Sequence, residues 1–243
     1  MANVSIIIPA YKTQDYIEEC LNSILSQVSR DSIDYEIFVG IDKCEETRDI
    51  VVGKFSHLHN LWIVDFNENV GPYVVKNTLS LYAKGDWLLF FDSDDVMLPN
   101  AMTNIFLGNT NEESIRFKYT HLIDSGNVKE PPMYSCSEGN FCVKKDSFYR
   151  SGGFLPWRCA ADTEFRARFR RRYDLAEHIT DKPIFKYRIR DKSLTTDKNT
   201  GFGSNIRQEY IKVNNIFSLY GVKSIHYVTT RKYTIIKGID KNK

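Results

Sequence analysis

Residues 87–95 read Trp87-Leu88-Leu89-Phe90-Phe91-Asp92-Ser93-Asp94-Asp95. A short apolar run of this kind is typical of a strand that is buried on both faces of a parallel sheet. The carboxylates that follow it repel one another, so the cluster is costly at a strand end unless a cation neutralises it. The stretch therefore predicts a buried strand over 86–91 whose carboxyl end carries an acidic site.

The sequence before this stretch alternates between strand and helix patterns. Three further apolar runs predict strands, at residues 4–8, 35–41 and 61–64. Apolar residues at helical spacing predict three helices, over about 15–28, 46–55 and 73–83. This strand–helix alternation predicts an α/β fold with a doubly wound, mostly parallel sheet.

Ligands of doubly wound sheets bind outside the carboxyl ends of the strands. The ends of the four predicted strands should therefore form the walls of one site. These walls are residues 9–12, 42–45, 67–71 and 92–95.

The patterns become mixed beyond residue 100. A helix should follow Leu98-Pro99-Asn100, and the short apolar runs and turn residues from about 115 to 148 predict antiparallel or mixed strands. Apolar residues at helical spacing predict another helix over about 162–173, with its many arginines on the outer face.

The chain contains no internal repeat and no low-complexity linker. We therefore expect a main domain over 1–205, with halves 1–100 and 101–205, and a helical, basic extension over 206–243. The basic residues of 222–243 could contact anionic lipid, which would place the protein at the periphery of the membrane. A frayed tail in solution is the alternative.

Composition argues against several classes of protein. The net charge of +2 is too small to indicate nucleic-acid binding. No stretch approaches the roughly 18 apolar residues of a membrane-spanning helix, and we interpret residues 4–8 as a strand rather than part of a signal peptide. The five cysteines form no C-x-x-C pair, so we expect neither a zinc site nor a disulfide framework, and the cytoplasm fits best.

The acidic cluster is the strongest candidate for a metal site. Mg²⁺ and Mn²⁺ prefer oxygen ligands and often bind substrate phosphates at the same time. Asp92, Asp94 and Asp95 are therefore candidate ligands of Mn²⁺ or Mg²⁺. The alternative is that Asp94 or Asp95 caps the helix that follows Pro99.

Several ordered motifs resemble one known family. They are Val4 to Tyr11, Tyr16 to Gln27, Asn69-Val70-Gly71, Lys76-Asn77-Thr78, Ala83 to Asp86 and Phe91 to Asp95. The chain resembles the family 2 glycosyltransferases of the GT-A fold, closely over its first 100 residues and more loosely to about Ser193. The resemblance implies a nucleotide-sugar-binding half over 1–100 and an acceptor half over 101–205.

The resemblance assigns roles to residues of the first half. Pro9, Ala10 and Tyr11 would line the nucleotide pocket, and Asp42 would accept a hydrogen bond from the base, although Ile41 replaces a second acid that the family usually has. Lys76, where the family commonly has Arg, would meet the diphosphate. Asp92, Ser93 and Asp94 match the DxD motif, in which Asp94 would contact the ribose or the metal and Asp92 or Asp95 would complete metal binding.

The resemblance also nominates a catalytic base. Asp162 follows a Gly-Gly-Phe loop and keeps the position of the base in the family's Glu-Asp pair, while Ala161 replaces the Glu. Glu164 is the competing candidate. Trp157 could stack on the acceptor sugar or anchor the core.

A later segment resembles the family pattern Tyr-Arg-x-His-x-x-Ser. Arg190 stands in place of the His and cannot bind a cation, but it could neutralise a diphosphate. Ser193 and Lys192 could complete phosphate binding by this loop. A solvated basic loop is the alternative.

The leading hypothesis is an inverting, metal-dependent glycosyltransferase. It would transfer a sugar from a nucleoside diphosphate sugar to a hydroxyl of a glycan or a lipid-linked acceptor in surface polysaccharide biosynthesis. We expect the donor to be a UDP-sugar. A nucleotidyltransferase would need a Gly-rich loop after the first strand, and residues 9–12 contain no glycine. A non-catalytic nucleotide- or carbohydrate-binding module stays open because of the departures at Ile41, Ala161 and Arg190.

Overall fold

A computed structural model describes residues 2–27, 33–106, 112–123, 128–129, 135–172, 177–191, 193–219 and 228–237. The strands are β1 (Ala2–Ala10), β2 (Ile33–Ile41), β3 (Leu61–Phe66), β4 (Trp87–Phe90), β5 (Val96–Met97), β6 (Ser114–Ile123), β7 (Val128–Lys129), β8 (Ser135–Lys144), β9 (His178–Ile189) and β10 (Tyr233–Lys237). The helices are α1 (Ile17–Leu25), α2 (Glu45–Phe55), α3 (Pro72–Ser80), α4 (Ala101–Phe106), α5 (Lys145–Arg150), α6 (Ala161–Arg172) and α7 (Asn205–Leu219).

The strands form one mixed sheet in the order β10-β3-β2-β1-β4-β8-β6-β9-β5, and β7 pairs with β6. Strands β3, β2, β1 and β4 are parallel, as the strand–helix alternation predicts. Strand β8 then pairs antiparallel with β4 and with β6. The mixed sheet predicted for the second half is confirmed, and β4 is the strand at which the two halves meet.

Apolar cores cover both faces of the sheet because successive side chains of a strand point to opposite faces. On β1, Ile6 and Ile8 belong to the core that includes α1, α2 and α4. Ile7 belongs to the opposite core, which includes α3 and α6. The helices therefore lie on both faces, which is the doubly wound arrangement.

An aromatic cluster joins β4 to the elements around α6. The Phe90 ring centroid lies 5.3 Å from that of Phe141 on β8 and 5.0 Å from that of Phe154 in the Gly-Gly-Phe loop. Phe154 in turn lies 5.1 Å from Phe165 on α6. The apolar end of the stretch 87–95 therefore fixes the position of the helix that carries Asp162.

The prediction that the arginines of α6 face outward is wrong for two of them. Arg166 and Arg168 are 1% and 0% exposed. Arg168 forms an ion pair with Glu164, which is also fully buried, and donates further hydrogen bonds to the carbonyl oxygens of Ser151 and Gly153. Apolar periodicity could not anticipate this, because a buried charge is tolerated only where partners from elsewhere in the chain meet it.

The predicted C-terminal extension takes part in the main sheet. Strand β10 pairs antiparallel with β3, and the Asn77 side-chain amide on α3 donates to the Val228 carbonyl at 2.9 Å. The helix predicted in this region is α7. Residues 220–227 and 238–243, which hold much of the basic stretch, lie outside the described residues. Within the described ranges, no helix has the length and apolarity needed to span a membrane.

We predict that Arg168→Ala lowers the free energy of unfolding by about 3–5 kcal/mol, because it leaves the buried Glu164 carboxylate without its cation. Urea denaturation followed by circular dichroism measures the change. Arg170→Ala is the matched control, since the Arg170 side chain on the same helix is 50% exposed. The control should change stability by less than about 0.5 kcal/mol. Equal stability of the two variants would contradict the structural role of the buried pair.

Candidate functional site

A cleft of about 520 Å³ lies outside the carboxyl ends of the parallel strands. All four predicted strand ends contribute to its walls, through Pro9 to Tyr11, Asp42, Asn69 with Gly71, and Asp92 to Asp94. They meet because β1 lies between β2 and β4, and β3 lies next to β2. Lys76, Asp162, Arg190 and Ser193 from later elements line the same cleft.

The first two acids of the cluster each meet a cation. The Lys76 ammonium on α3 is buried and lies 3.0 Å from Asp92 Oδ1. Arg190, which follows β9 directly, donates from Nε to Asp94 Oδ2 at 2.7 Å. Burial raises the pKa of the Asp94 carboxyl, while the Arg190 charge opposes the rise and the Asp92 charge adds to it. Two side-chain cations of the protein therefore offset part of the repulsion within this cluster, and the metal stays a prediction.

Asp95 does not share this arrangement. Its carboxylate is buried and is not part of the cleft wall. Oδ1 accepts from the Arg188 backbone amide at 2.8 Å, and Oδ2 accepts from the Asn140 side-chain amide at 2.5 Å. Burial raises the pKa of Asp95 well above its usual value, and the charges of Asp94 and Asp92 raise it further. The structure therefore separates Asp95 from the other two candidate metal ligands and gives it a structural position.

Asn140 links Asp95 to the start of the cluster. Its Oδ1 accepts from the Asp92 backbone amide at 2.8 Å, while its Nδ2 donates to Asp95. One buried amide on β8 therefore holds the backbone at the start of the acidic turn and the Asp95 side chain at its end. An asparagine far along the chain carries no sequence pattern that would single it out for this role.

Asp42 lies in the cleft wall but has a structural function as well. Its two carboxylate oxygens accept from the backbone amides of Val70 at 2.7 Å and Gly71 at 3.0 Å. Gly71 has a φ of 87°, a conformation that favours glycine. Burial raises the pKa of Asp42, whereas these hydrogen bonds and the Arg158 charge oppose the rise. Asp42 thus holds the loop between β3 and α3 in place, and its predicted contact with a base stays a prediction.

The three residues at the end of β1 differ in what they offer to a ligand. Ala10 is buried, and Tyr11 is 44% exposed. Pro9 and Ala10 can therefore contribute mainly backbone and small apolar surface, while the Tyr11 ring is available for stacking.

Asp162 lies in the first turn of α6 and faces Asp92 across Gly139. A β-carbon added to Gly139 would lie 3.0 Å from Asp92 Oδ2 and 3.3 Å from Asp162 Oδ2. Asp162 Oδ1 accepts from the Thr163 backbone amide at 2.8 Å. The structure therefore brings the predicted base and the DxD motif to the same cleft, with space between them that a glycine keeps open.

Glu164 is not in the cleft. It is fully buried against Arg168, with both carboxylate oxygens 2.8 Å from guanidinium nitrogens. Of the two candidate bases, only Asp162 is placed where a substrate could meet it.

Tyr73, which the sequence patterns did not single out, lines the cleft together with Asp162. Its side chain is buried. Burial raises the pKa of this phenol well above its usual value, and the charges of Asp162 and Asp92 raise it further. The phenol therefore keeps its proton and is a neutral group in the part of the cleft that holds Asp162.

The loop after β9 also lines the cleft. The Ser193 hydroxyl lies 2.9 Å from Thr195 Oγ1 and 3.0 Å from Thr196 Oγ1. The Ser193 hydroxyl therefore orders its own loop. Its contact with a phosphate stays a prediction. The Arg190 guanidinium lies 5.0 Å from the Tyr16 ring centroid, so the predicted alternative of a solvated arginine does not describe it.

Two further arginines line the cleft without having been predicted as site residues. Arg158 donates from Nη1 to Asn69 Oδ1 at 2.6 Å. Arg207 comes from the first turn of α7. Trp157, the predicted sugar platform or core anchor, packs against the core that includes α3 and α6 and also stacks on Tyr210 of α7 at 4.5 Å and 3°. The sequence signal that could have indicated a site role for Arg158 is its position shortly before Asp162.

The donor set at the acidic turn fits a hard divalent cation that also binds a substrate. Among the residues that the structure describes, no group of three or more His, Cys, Asp or Glu side chains is placed to hold a metal ion. Asp92 and Asp94 alone reach the cleft from the cluster. One or two carboxylates combined with substrate phosphates are the usual ligand set of Mg²⁺ in phosphate-binding sites.

Relatives of known sequence share part of this chain. The Poly(ribitol-phosphate) beta-glucosyltransferase of Bacillus spizizenii is 33% identical over 101 residues, which make up 41% of this chain and 16% of that protein. The chain thus spans less than a fifth of the length of that relative.

Solved structures show the same fold. Residues 1–349 of S. aureus TarS in complex with UDP match with a TM-score of 0.63 and 20% identity, over 77% of this chain and 60% of that one. The mannosyltransferase PcManGT from Pyrobaculum calidifontis, in complex with GDP-Man and Mn²⁺, matches with a TM-score of 0.63 and 16% identity, over 90% of this chain and 68% of that one. The likeness confirms the GT-A fold expected from the sequence.

The sequence profile of Glycosyl transferase family 2 matches residues 5–162. This range begins within β1, includes the strand-end walls and the DxD motif, and ends at Asp162. The match covers more than half of the chain, which therefore belongs to glycosyl transferase family 2.

Proposed function

We propose that the protein transfers a sugar from a nucleoside diphosphate sugar to an acceptor hydroxyl, with inversion at the anomeric carbon. The observation that carries the proposal is the placement of Asp162 opposite Asp92 across Gly139, in the cleft formed by the strand ends. A non-catalytic binding module would have no use for a separate carboxylate at this place.

The donor would lie along the strand ends. Pro9, Ala10 and Tyr11 would contact the nucleoside, and Asp42 would accept from its base while holding the loop beside it. UDP is our proposed nucleotide, supported by the fold shared with a TarS structure that contains UDP. Ser93 and Asp94 would contact the ribose and diphosphate at the turn after β4.

The leaving diphosphate would be held by cations around the acidic turn. Lys76 and Arg190 are already fixed there by Asp92 and Asp94. Asp92 and Asp94 would also hold Mn²⁺ or Mg²⁺, whose chemistry when bound is to neutralise negative charge on the diphosphate. Asp95, which is buried outside the cleft wall, would stabilise this turn through the hydrogen bonds that it accepts.

Asp162 would act as the general base. The acceptor hydroxyl gives its proton to the Asp162 carboxylate while its oxygen forms a bond to the anomeric carbon. The bond from that carbon to the phosphate oxygen breaks, and its electron pair leaves with the diphosphate. Because attack and departure occur on opposite faces, an α-linked donor would give a β-linked product.

The acceptor would be a glycan or a lipid-linked glycan of a surface polysaccharide. The relative from Bacillus spizizenii supports this, since its name describes glucosyl transfer to poly(ribitol-phosphate). A cytoplasmic location, with contact to the membrane through residues 222–243, remains a prediction that none of the described contacts supports.

We predict that Asp162→Asn lowers the rate of sugar transfer by about 10²–10⁴-fold, because it removes the group that accepts the proton. Release of UDP from UDP-sugars in the presence of Mn²⁺ and an acceptor extract measures the rate. UDP binding should be unchanged. Asp49→Asn is the control, since the Asp49 side chain is 70% exposed and lies outside the cleft walls. Full activity of Asp162→Asn would contradict the proposed role of Asp162 as the general base.

We predict that Gly139→Ala lowers transfer by about tenfold or more while thermal stability changes little. The added methyl group would enter the space between Asp92 and Asp162, and displacement of reacting groups by about 1 Å can cost 10²-fold. Gly53→Ala is the matched control, because a β-carbon there meets nothing within 4 Å. Unchanged transfer by Gly139→Ala would show that the space between the carboxylates is not used.

A further inference from the structure

Arg207 is held in the cleft by neutral groups. Its Nε donates to the Thr200 carbonyl at 2.8 Å, and its Nη2 donates to the Leu194 carbonyl at 3.1 Å. The guanidinium lies 5.0 Å from the Phe202 ring centroid. These contacts fix the position of the group, and they leave N–H donors over, since a guanidinium has five.

Lys76 and Arg190 in this cleft are balanced by carboxylates, and Arg207 is not. Lys76 pairs with Asp92, and Arg190 pairs with Asp94. Within the ranges that the structure describes, no carboxylate lies within ion-pairing distance of Arg207. A fixed, half-buried cation that lines a cleft without a counter-charge favours an anionic ligand.

The charge of Arg207 acts on the part of the cleft that holds the candidate base. Burial raises the pKa of the Cys159 thiol, and Arg207 opposes the rise while Asp162 adds to it. The same two charges act in opposite directions on the buried Tyr73 phenol. Arg207, Cys159, Tyr73 and Asp162 all line the cleft, so the Arg207 guanidinium shares the part of it that holds the candidate base.

Helix α7 is anchored on this side of the cleft. Tyr210, one turn beyond Arg207, stacks on Trp157 with the rings almost parallel, at 4.5 Å and 3°. Trp157 immediately precedes the loop that leads to Asp162. The stack therefore ties the helix that carries Arg207 to the segment that carries the base, and this arrangement presents both groups to one ligand.

We propose that Arg207 binds an anionic group of the acceptor, a phosphate or a carboxylate close to the hydroxyl that is attacked. This inference rests on the proposed transfer reaction and names its acceptor class. The anion would take the unused N–H donors of the guanidinium, and the exposed Phe202 ring would cover the apolar face beside it.

The test uses the full chain saturated with UDP and Mn²⁺, so that the diphosphate site is filled before any anion is added. Glycerol 3-phosphate and glucuronate are titrated as the phosphate and carboxylate probes, with glycerol and glucose as their neutral counterparts. Isothermal titration calorimetry measures each affinity for the wild type, Arg207→Gln and Arg207→Lys. Arg48→Gln is the control, because Arg48 on α2 pairs with Asp49 and Asp65 and lies outside the cleft walls.

We expect at least one anionic probe to bind the wild type and Arg48→Gln, and to bind Arg207→Gln about tenfold more weakly or not at all. Arg207→Lys, which keeps the charge, should retain part of the affinity. The probe that binds identifies the anion as phosphate or carboxylate. If Arg207 only ordered its loop, its replacement would weaken anionic and neutral probes equally.

The proposal is overturned if neither anion binds the wild type, or if Arg207→Gln binds the anions as the wild type does. Failure of the proposed function appears separately, as absence of UDP binding in the first step. If UDP does not bind, the anionic probes are titrated without UDP into Arg207→Gln and Arg190→Gln. Loss of anion binding only in Arg190→Gln would also overturn the proposal.

Discussion

Electrostatic repulsion among Asp92, Asp94 and Asp95 is the constraint on which the rest of this site depends. The apolar strand that precedes them places all three at one sheet edge, and each is stabilised in a different way. Lys76 neutralises the first and Arg190 the second. The third is buried and accepts hydrogen bonds from neutral donors. This division leaves two carboxylates at the cleft for a cation and its phosphates.

The compensating groups come from elements that lie far apart in the chain. Lys76 is on α3, Asn140 on β8 and Arg190 directly after β9, so the acidic turn is held from three directions. Antiparallel pairing of β8 with β4 places Asn140 beside the turn, and the pairing of β9 with β6 and β5 brings Arg190 to it. The parallel half of the sheet thus forms the strand-end walls of the site. The mixed second half supplies side chains that hold the acidic turn in place.

Much of the first half could be predicted because its periodicity is local. The parallel strands, their helices and the meeting of Asp42 with Asp92 follow from apolar runs and strand order. The burial of Asp95 could not be predicted, because its partner Asn140 lies 45 residues away. The burial of Arg168 could not be predicted for the same reason, because its partners include the Gly-Gly-Phe loop. Arg207 lies in a segment where no motif indicated which face of α7 meets the cleft.

We propose that the strand-end cleft binds a nucleoside diphosphate together with a metal held by Asp92 and Asp94. Thermal unfolding with UDP, with and without Mn²⁺, on wild type and Asp94→Asn tests it most directly. At 100 times its dissociation constant, UDP should add about 2.7 kcal/mol, a shift of roughly 5–10 °C. We expect this shift for the wild type with Mn²⁺ and its loss in Asp94→Asn. A shift that is absent, or that is equal in both proteins, would contradict it.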